Sequence, residues 1–226
     1  MSIRQAHSSL YLQGLTLQTV QEAVIAIGFV PKASTQRALT QHTPAEQKAL
    51  SAFETWLDQQ NSGTAAGQQA LKVLREAVST GKVEAGRVAG ALLFLEGSAA
   101  EQSPESDTLP KLQGNWRLVF SSPAFPPALQ YIPVDEFAEI DVAKKTIDLV
   151  TDLGPVHTRF LGTFDWRPQG SVMSFGFIGL QLRVFGRVFP FGFRTKRKEY
   201  TYFQVTDDIA CARSSRGGVI LMHQAR

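Results

Sequence analysis

The sequence predicts an α+β protein in which an N-terminal helical region (residues 1–96) and a linker (97–108) precede an antiparallel β-barrel (109–226). Three observations predict it. A capped, amphipathic helical pattern opens at Thr43. The hydrophobic period then switches from helical to two across the small, polar, acidic segment 97–108. Beyond it, eight or nine short alternating runs crowd into residues 109–226, which fits a sandwich or an up-and-down barrel.

The first residues, up to about Ala45, contain one acidic residue, Glu22, among Arg4, Lys32, Arg37 and many Ser, Thr and Gln. Such a bias is typical of organelle transit peptides. Val20 to Val30 is apolar enough to pack as a helix, with Thr16 as its cap, so part of this stretch also reads as structural. At Thr43-Pro-Ala-Glu46 the chain carries an N-cap, a proline at the first helical position and a glutamate that completes a capping box. Leu50, Phe53, Trp56 and Leu57 follow on one stripe, and Asn61-Ser-Gly63 ends it. A second helix is expected from Ala65 to Thr80, stopped by Gly81, and a third from Val83 to Glu96.

The β half opens with Leu109 to Ser122, L-P-K-L-Q-G-N-W-R-L-V-F-S-S, where Trp116, Leu118 and Phe120 share a parity and are expected on one face. Strands are expected at Thr146–Asp152, after a hairpin connection from Val142, and at Val156–Trp166, with Arg167-Pro-Gln-Gly170 as a turn. Further runs are Val172–Ile178, Leu180–Phe185, Val188–Phe193, Glu199–Val205, Ile209–Arg213 and Val219–His223. Phe160, Phe164, Phe175, Phe177, Phe185, Phe189, Phe191, Phe193 and Phe203 alternate with Gly176, Gly179, Gly186 and Gly192, which favours a barrel that bends at its glycines. Its interior is either a ligand cavity, with Trp116, Leu118, Phe160, Phe164, Phe175, Phe177 and Phe203 as candidate lining, or is filled by its own rings.

Composition narrows the chemistry. A net charge of +3 without a long basic tract argues against a nucleic-acid binder. No apolar run approaches the roughly 18 to 20 residues of a membrane span, so any membrane contact is expected to be peripheral. The single cysteine, Cys211, excludes an internal disulfide and reads as a small core residue. His7, His42, His157 and His223 are scattered without metal-ligand spacing, and no nucleophile elbow or phosphate loop is present. Asp148, Asp152, Asp207 and Asp208 make an acid/base site only if the fold gathers them. No catalytic residue, metal or cofactor is therefore expected.

The opening around Gly114, Trp116 and Leu118 and the close around Tyr202, Phe203, Asp207, Asp208, Arg213, Arg216 and Gly217 resemble the plastid lipid-associated protein (fibrillin) family. The resemblance covers the β half. It implies a lipocalin-like barrel that carries a prenylquinone, carotenoid or acyl lipid without catalysis, in a chloroplast at thylakoids or plastoglobules, or at a cyanobacterial thylakoid. The alternative is a scaffold that coats a lipid surface and docks partner proteins; a third reading, an isomerase or cyclase, requires an ionisable group in the cavity. Gly114, Trp116, Arg213 and Arg216 are the candidate barrel floor, with Arg213 expected across the Trp116 indole. Phe125, Leu129, Tyr131 and Ile132, in a proline-rich loop from Ser121 to Pro133, are candidates for a lid or a membrane contact, or else pack on the helices. The Arg194-Thr-Lys-Arg-Lys198 cluster reads as a solvated hairpin or as an attraction to anionic lipid.

Overall fold

Why the chain becomes helical where it does is visible at Glu46, whose N–H donates to Thr43 Oγ1 at 3.2 Å while its carboxylate accepts the Thr43 N–H at 2.8 Å. This is the capping box expected from the sequence, and it starts α1 (Pro44–Gln60). The computed structural model describes residues 42–60, 65–100, 108–122, 130–215 and 217–225. Helix α2 (Ala66–Thr80) ends at Gly81, which takes a left-handed φ of 62° and donates its N–H to Ala77 O. Helix α3 (Ala85–Ala100) runs four residues past the expected Glu96, through Gly97-Ser-Ala-Ala100, where Gly97 weakens the helix without ending it. The expected linker therefore loses its first four residues to α3 and its last, Thr108, to a short α4 (Thr108–Lys111). The readings of the first 41 residues lie outside the described residues.

Nine antiparallel strands follow: β1 (Gly114–Ser121), β2 (Asp135–Asp141), β3 (Thr146–Leu153), β4 (Val156–Arg167), β5 (Val172–Val184), β6 (Arg187–Gly192), β7 (Lys198–Val205), β8 (Ile209–Ser214) and β9 (Val219–Gln224). Their order is β4-β3-β2-β1-β9-β8-β7-β5-β6, and β4 also pairs with β5. Eight strands thus close a ring, and β6 continues the β5 hairpin beyond it. The expected runs 172–178 and 180–185 form one long strand, whereas β2 was not anticipated.

Alternation splits the apolar side chains into two cores. On the outer face, Phe120, Ile209, Cys211, Val219 and Leu221 pack with Phe53, Leu74, Leu92 and Leu93 of α1, α2 and α3. The inner set includes Trp116, Ile140, Leu149, Phe164, Met173, Phe175, Phe177 and Met222, all buried. A register shift between Leu118 and Phe120 in the pairing with β9 flips the parity of β1. Trp116 and Leu118 face inward as expected, but Phe120 turns outward to the helices.

Candidate functional site

The ring has two ends of different character. Gly114 opens β1 at one end with φ 120°, and a Cβ built there would lie 3.5 Å from Gln224 Nε2. Trp116 is fully buried beside it and donates its indole N–H to Leu112 O at 2.9 Å, so the turn before β1 is tied to the ring interior. Arg213 does not lie on that indole. It shares the outward parity of Ile209 and Cys211, whereas Trp116 points inward, so the sheet separates the two. Its guanidinium is held instead by Glu96 of α3 and Glu46 of α1. Arg216 lies outside the described residues.

Candidate lining residues fill the middle of the ring with one another. Phe160 meets Phe177 at 5.7 Å and Phe193 at 6.2 Å, and Phe175 meets Phe177 at 5.9 Å and Tyr200 at 4.9 Å, mostly edge to face. Phe164 is buried at the same level. Phe203 was expected among them but faces the other way. It alternates with Tyr200 and Tyr202, which face inward, and so points to the outer surface, against the helices, where it lines a groove of about 680 Å³ with Leu71, Leu95 and Gln204. Phe185 is 84% exposed, because the β5–β6 hairpin carries it beyond the ring.

Toward the other end the interior changes to polar and half-open. Inner-face residues Leu118, Thr158, Leu182, Lys198 and Tyr200 are only half-buried there. Across neighbouring strands the register places Glu136, Thr151, Thr158, Leu182 and Phe189 in one row. Glu136 is 2% exposed, and its Oε1 has no hydrogen-bond partner among the described residues; nor does Thr158 Oγ1. Burial pushes the Glu136 carboxyl up to about 7, against the pull of the Lys198 ammonium. A buried acceptor left unmatched costs about 1–3 kcal/mol, so this row is the polar feature of the interior that the fold itself does not explain. Sequence reasoning missed Glu136 because it sits among Asp135, Glu139 and Asp141 and reads as wetted charge. Its signal is parity: in D-E-F-A-E-I-D it shares the parity of Ala138 and Ile140.

The remaining candidates are accounted for elsewhere. Tyr131 is no lid: its hydroxyl donates to Val83 O at 2.7 Å and its ring meets Phe120 edge-on at 5.5 Å, so it fastens the loop to the helical layer. The Ile132 N–H donates to Val119 O beside it, while Phe125 and Leu129 lie outside the described residues. The aspartates are not gathered into one site. Asp148 pairs with Arg159, Asp152 with His157 and Asp208 with Arg75. Among the described residues no three His, Cys, Asp or Glu side chains converge as a metal site, and no helix is long and apolar enough to cross a membrane. Compared with protein-family models, curated proteins and solved structures, the chain matches none of them.

Proposed function

We propose that the chain is a non-enzymatic carrier whose ring acts as a lipocalin-like barrel, holding an apolar molecule at its half-open end with that molecule's polar group against Glu136. The single observation that carries this reading is the Glu136 carboxyl, buried inside the ring with an oxygen, Oε1, that accepts no hydrogen bond among the described residues. Such a group is matched by a ligand that brings its own hydroxyl or N–H donor. Thr158 Oγ1 supplies a second contact on the same row. The apolar body would rest on Leu118, Leu182 and Phe189, since the middle of the ring is occupied by protein rings. A hydroxylated carotenoid, a prenylhydroquinone or an acyl lipid with a free hydroxyl meets these requirements. Together with the resemblance of the first and last strands, this supports a plastid or cyanobacterial setting at thylakoids or plastoglobules.

An isomerase or cyclase is the second reading, because a buried carboxyl that titrates near neutrality is the ionisable group such chemistry needs. Glu136 Oε1 has no hydrogen-bond partner among the described residues, and the charge that acts on its carboxyl is the Lys198 ammonium, so carriage is the reading taken forward. The test is quenching of tryptophan fluorescence by decylhydroquinone and by its dimethyl ether, which cannot donate. Wild type is expected to prefer the hydroquinone by about tenfold or more, the value of one hydrogen bond to a buried carboxyl. Glu136→Leu is expected to erase that preference while still binding both. Uptake of neither compound overturns the reading and moves the weight to a scaffold with a filled ring.

A further inference from the structure

The large apolar side chains that the described fold leaves exposed are Leu153, Ile178, Phe185, Val188 and Phe191, and all belong to the β3–β6 part of the sheet. Three of them gather at one tip. The Phe185 N–H donates to Pro155 O at 3.1 Å, which ties the β5–β6 turn to the β3–β4 turn, so Leu153, Phe185 and Val188 lie at the same end of the sheet, Leu153 on its inner face and Val188 on its outer one. Phe185 at φ 46° and Gly186 at φ 80° are the two central residues of the tight β5–β6 hairpin turn, which takes positive φ at both. The turn presents a ring that is 84% in water.

The same tip is cationic. Arg183 and Arg187 flank the turn, both exposed. The neighbouring acids are already engaged, Asp152 with His157 and Asp135 with Arg117. Apolar side chains at an apex, with arginines whose stems are long enough to reach back to a charged surface, match the boundary between acyl chains and anionic headgroups. Two other occupants fit less well. Strand β6 ends the sheet, but Pro190 removes a donor from it and Arg187 charges it, so another strand adds poorly. In a symmetric contact a second copy would set Arg183 and Arg187 against themselves.

From this juxtaposition we propose that the tip formed by Leu153, Phe185 and Val188, with Arg183 and Arg187, docks the protein on an anionic lipid surface. Docking this end presents the half-open side of the ring, with the Glu136 row, to the bilayer. The proposal rests on the carrier reading for its purpose alone and is tested without any cargo. Full-length, ligand-free protein is sedimented with vesicles of phosphatidylcholine, with and without one third phosphatidylglycerol. Binding is expected to the mixed vesicles, weakening as salt rises. Phe185→Ser is expected to weaken it about tenfold, the order of magnitude for exposing one apolar side chain. Arg183→Glu with Arg187→Glu is expected to remove the preference for anionic lipid. Both variants change exposed positions, and circular dichroism confirms their fold. Failure to sediment, or binding that both variants retain, overturns the proposal. So does a dimer in sedimentation velocity that Phe185→Ser dissociates, since a second copy then covers the tip. Failure of the hydroquinone assay alone leaves this result standing.

Discussion

Arg213 Nη1 donates to Glu46 Oε1 at 2.5 Å while Nε and Nη2 of the same guanidinium fork onto the Glu96 carboxylate. One cation thereby joins β8 to α1 and α3, and it does so with little water: the Arg213 side chain is 11% exposed and that of Glu46 4%. Removing it strands two carboxylates under the helices. Arg213→Met is expected to cost about 3–5 kcal/mol in urea unfolding, the usual penalty for breaking a buried pair. Arg75→Ala, which breaks the exposed pair with Asp208, is expected to cost no more than about 1 kcal/mol. Burial alone would raise the Glu46 pKa, but the Thr43 N–H and Arg213 outweigh it and hold the carboxyl below its ordinary 4.5. A depressed folded value stabilises above the unfolded one, so this contribution is full above about pH 4.5 and is lost as pH falls through the folded value.

Glu136 runs the opposite way. Its carboxyl is pushed up to about 7 in the folded chain, from an ordinary 4.5. Between these values the folded protein holds a proton the unfolded chain has released, so stability declines as pH rises through the window. At about 1.4 kcal/mol per unit, the penalty above pH 7 reaches about 3 kcal/mol. Glu136→Gln, which carries no charge to bury, is expected to raise the melting temperature at pH 8 and to change it little at pH 4. Equal shifts at both values would place the carboxyl in water. A bound donor ligand is expected to narrow the difference between the two proteins at pH 8.

What the sequence disclosed is what neighbours along the chain decide. Thr43, Pro44 and Glu46 interact within four residues, so α1 was legible, as was the left-handed stop at Gly81. Alternation marked most of the strands for the same reason. The site was less legible because pairing partners shape it. The shift at Leu118/Phe120 comes from how β1 meets β9 and turns Phe120 to the opposite face, and the inward parity of β7 is set by the pairing of Lys198 and Tyr200 with β5, which leaves Phe203 outside. The motif places Arg213 on Trp116. Its partners stand 117 and 167 residues away, on helices that local pattern could locate but could not dock.

Two glycines of α3 separate packing from propensity. A Cβ on Gly90 would lie 2.5 Å from both Ala49 O and Phe53 Cβ, where α1 crosses α3. The contact is with backbone and with a side chain 1% exposed, so neither can move aside cheaply. Gly90→Ala is expected to cost about 1–3 kcal/mol despite the better helix propensity of alanine. Gly97, on the same helix, meets nothing within 4 Å. There alanine is expected to stabilise by about 0.5–1 kcal/mol, which also checks that residues read as linker are helical. Chemical denaturation of the two variants beside wild type measures both.

Cys211 makes the helix–sheet interface observable. It is the only cysteine in the sequence, it is 0% exposed, and it lies on the outward face of β8 under the helical layer. Burial pushes its thiol well above the ordinary range, and the charge of Asp208 adds to this. A thiolate reagent therefore reacts only after the layer lifts or the chain unfolds. In native buffer the labelling rate is expected to fall below that of a free thiol by the factor set by global stability. Arg213→Met, by loosening the clamp that holds α1 and α3 down, is expected to speed labelling by about a hundredfold or more, since each 1.4 kcal/mol is tenfold. Arg75→Ala is expected to change it by less than about tenfold. If wild type labels as fast as an exposed thiol, the helices open independently of the ring, and the clamp between Arg213, Glu46 and Glu96 does not hold the two together.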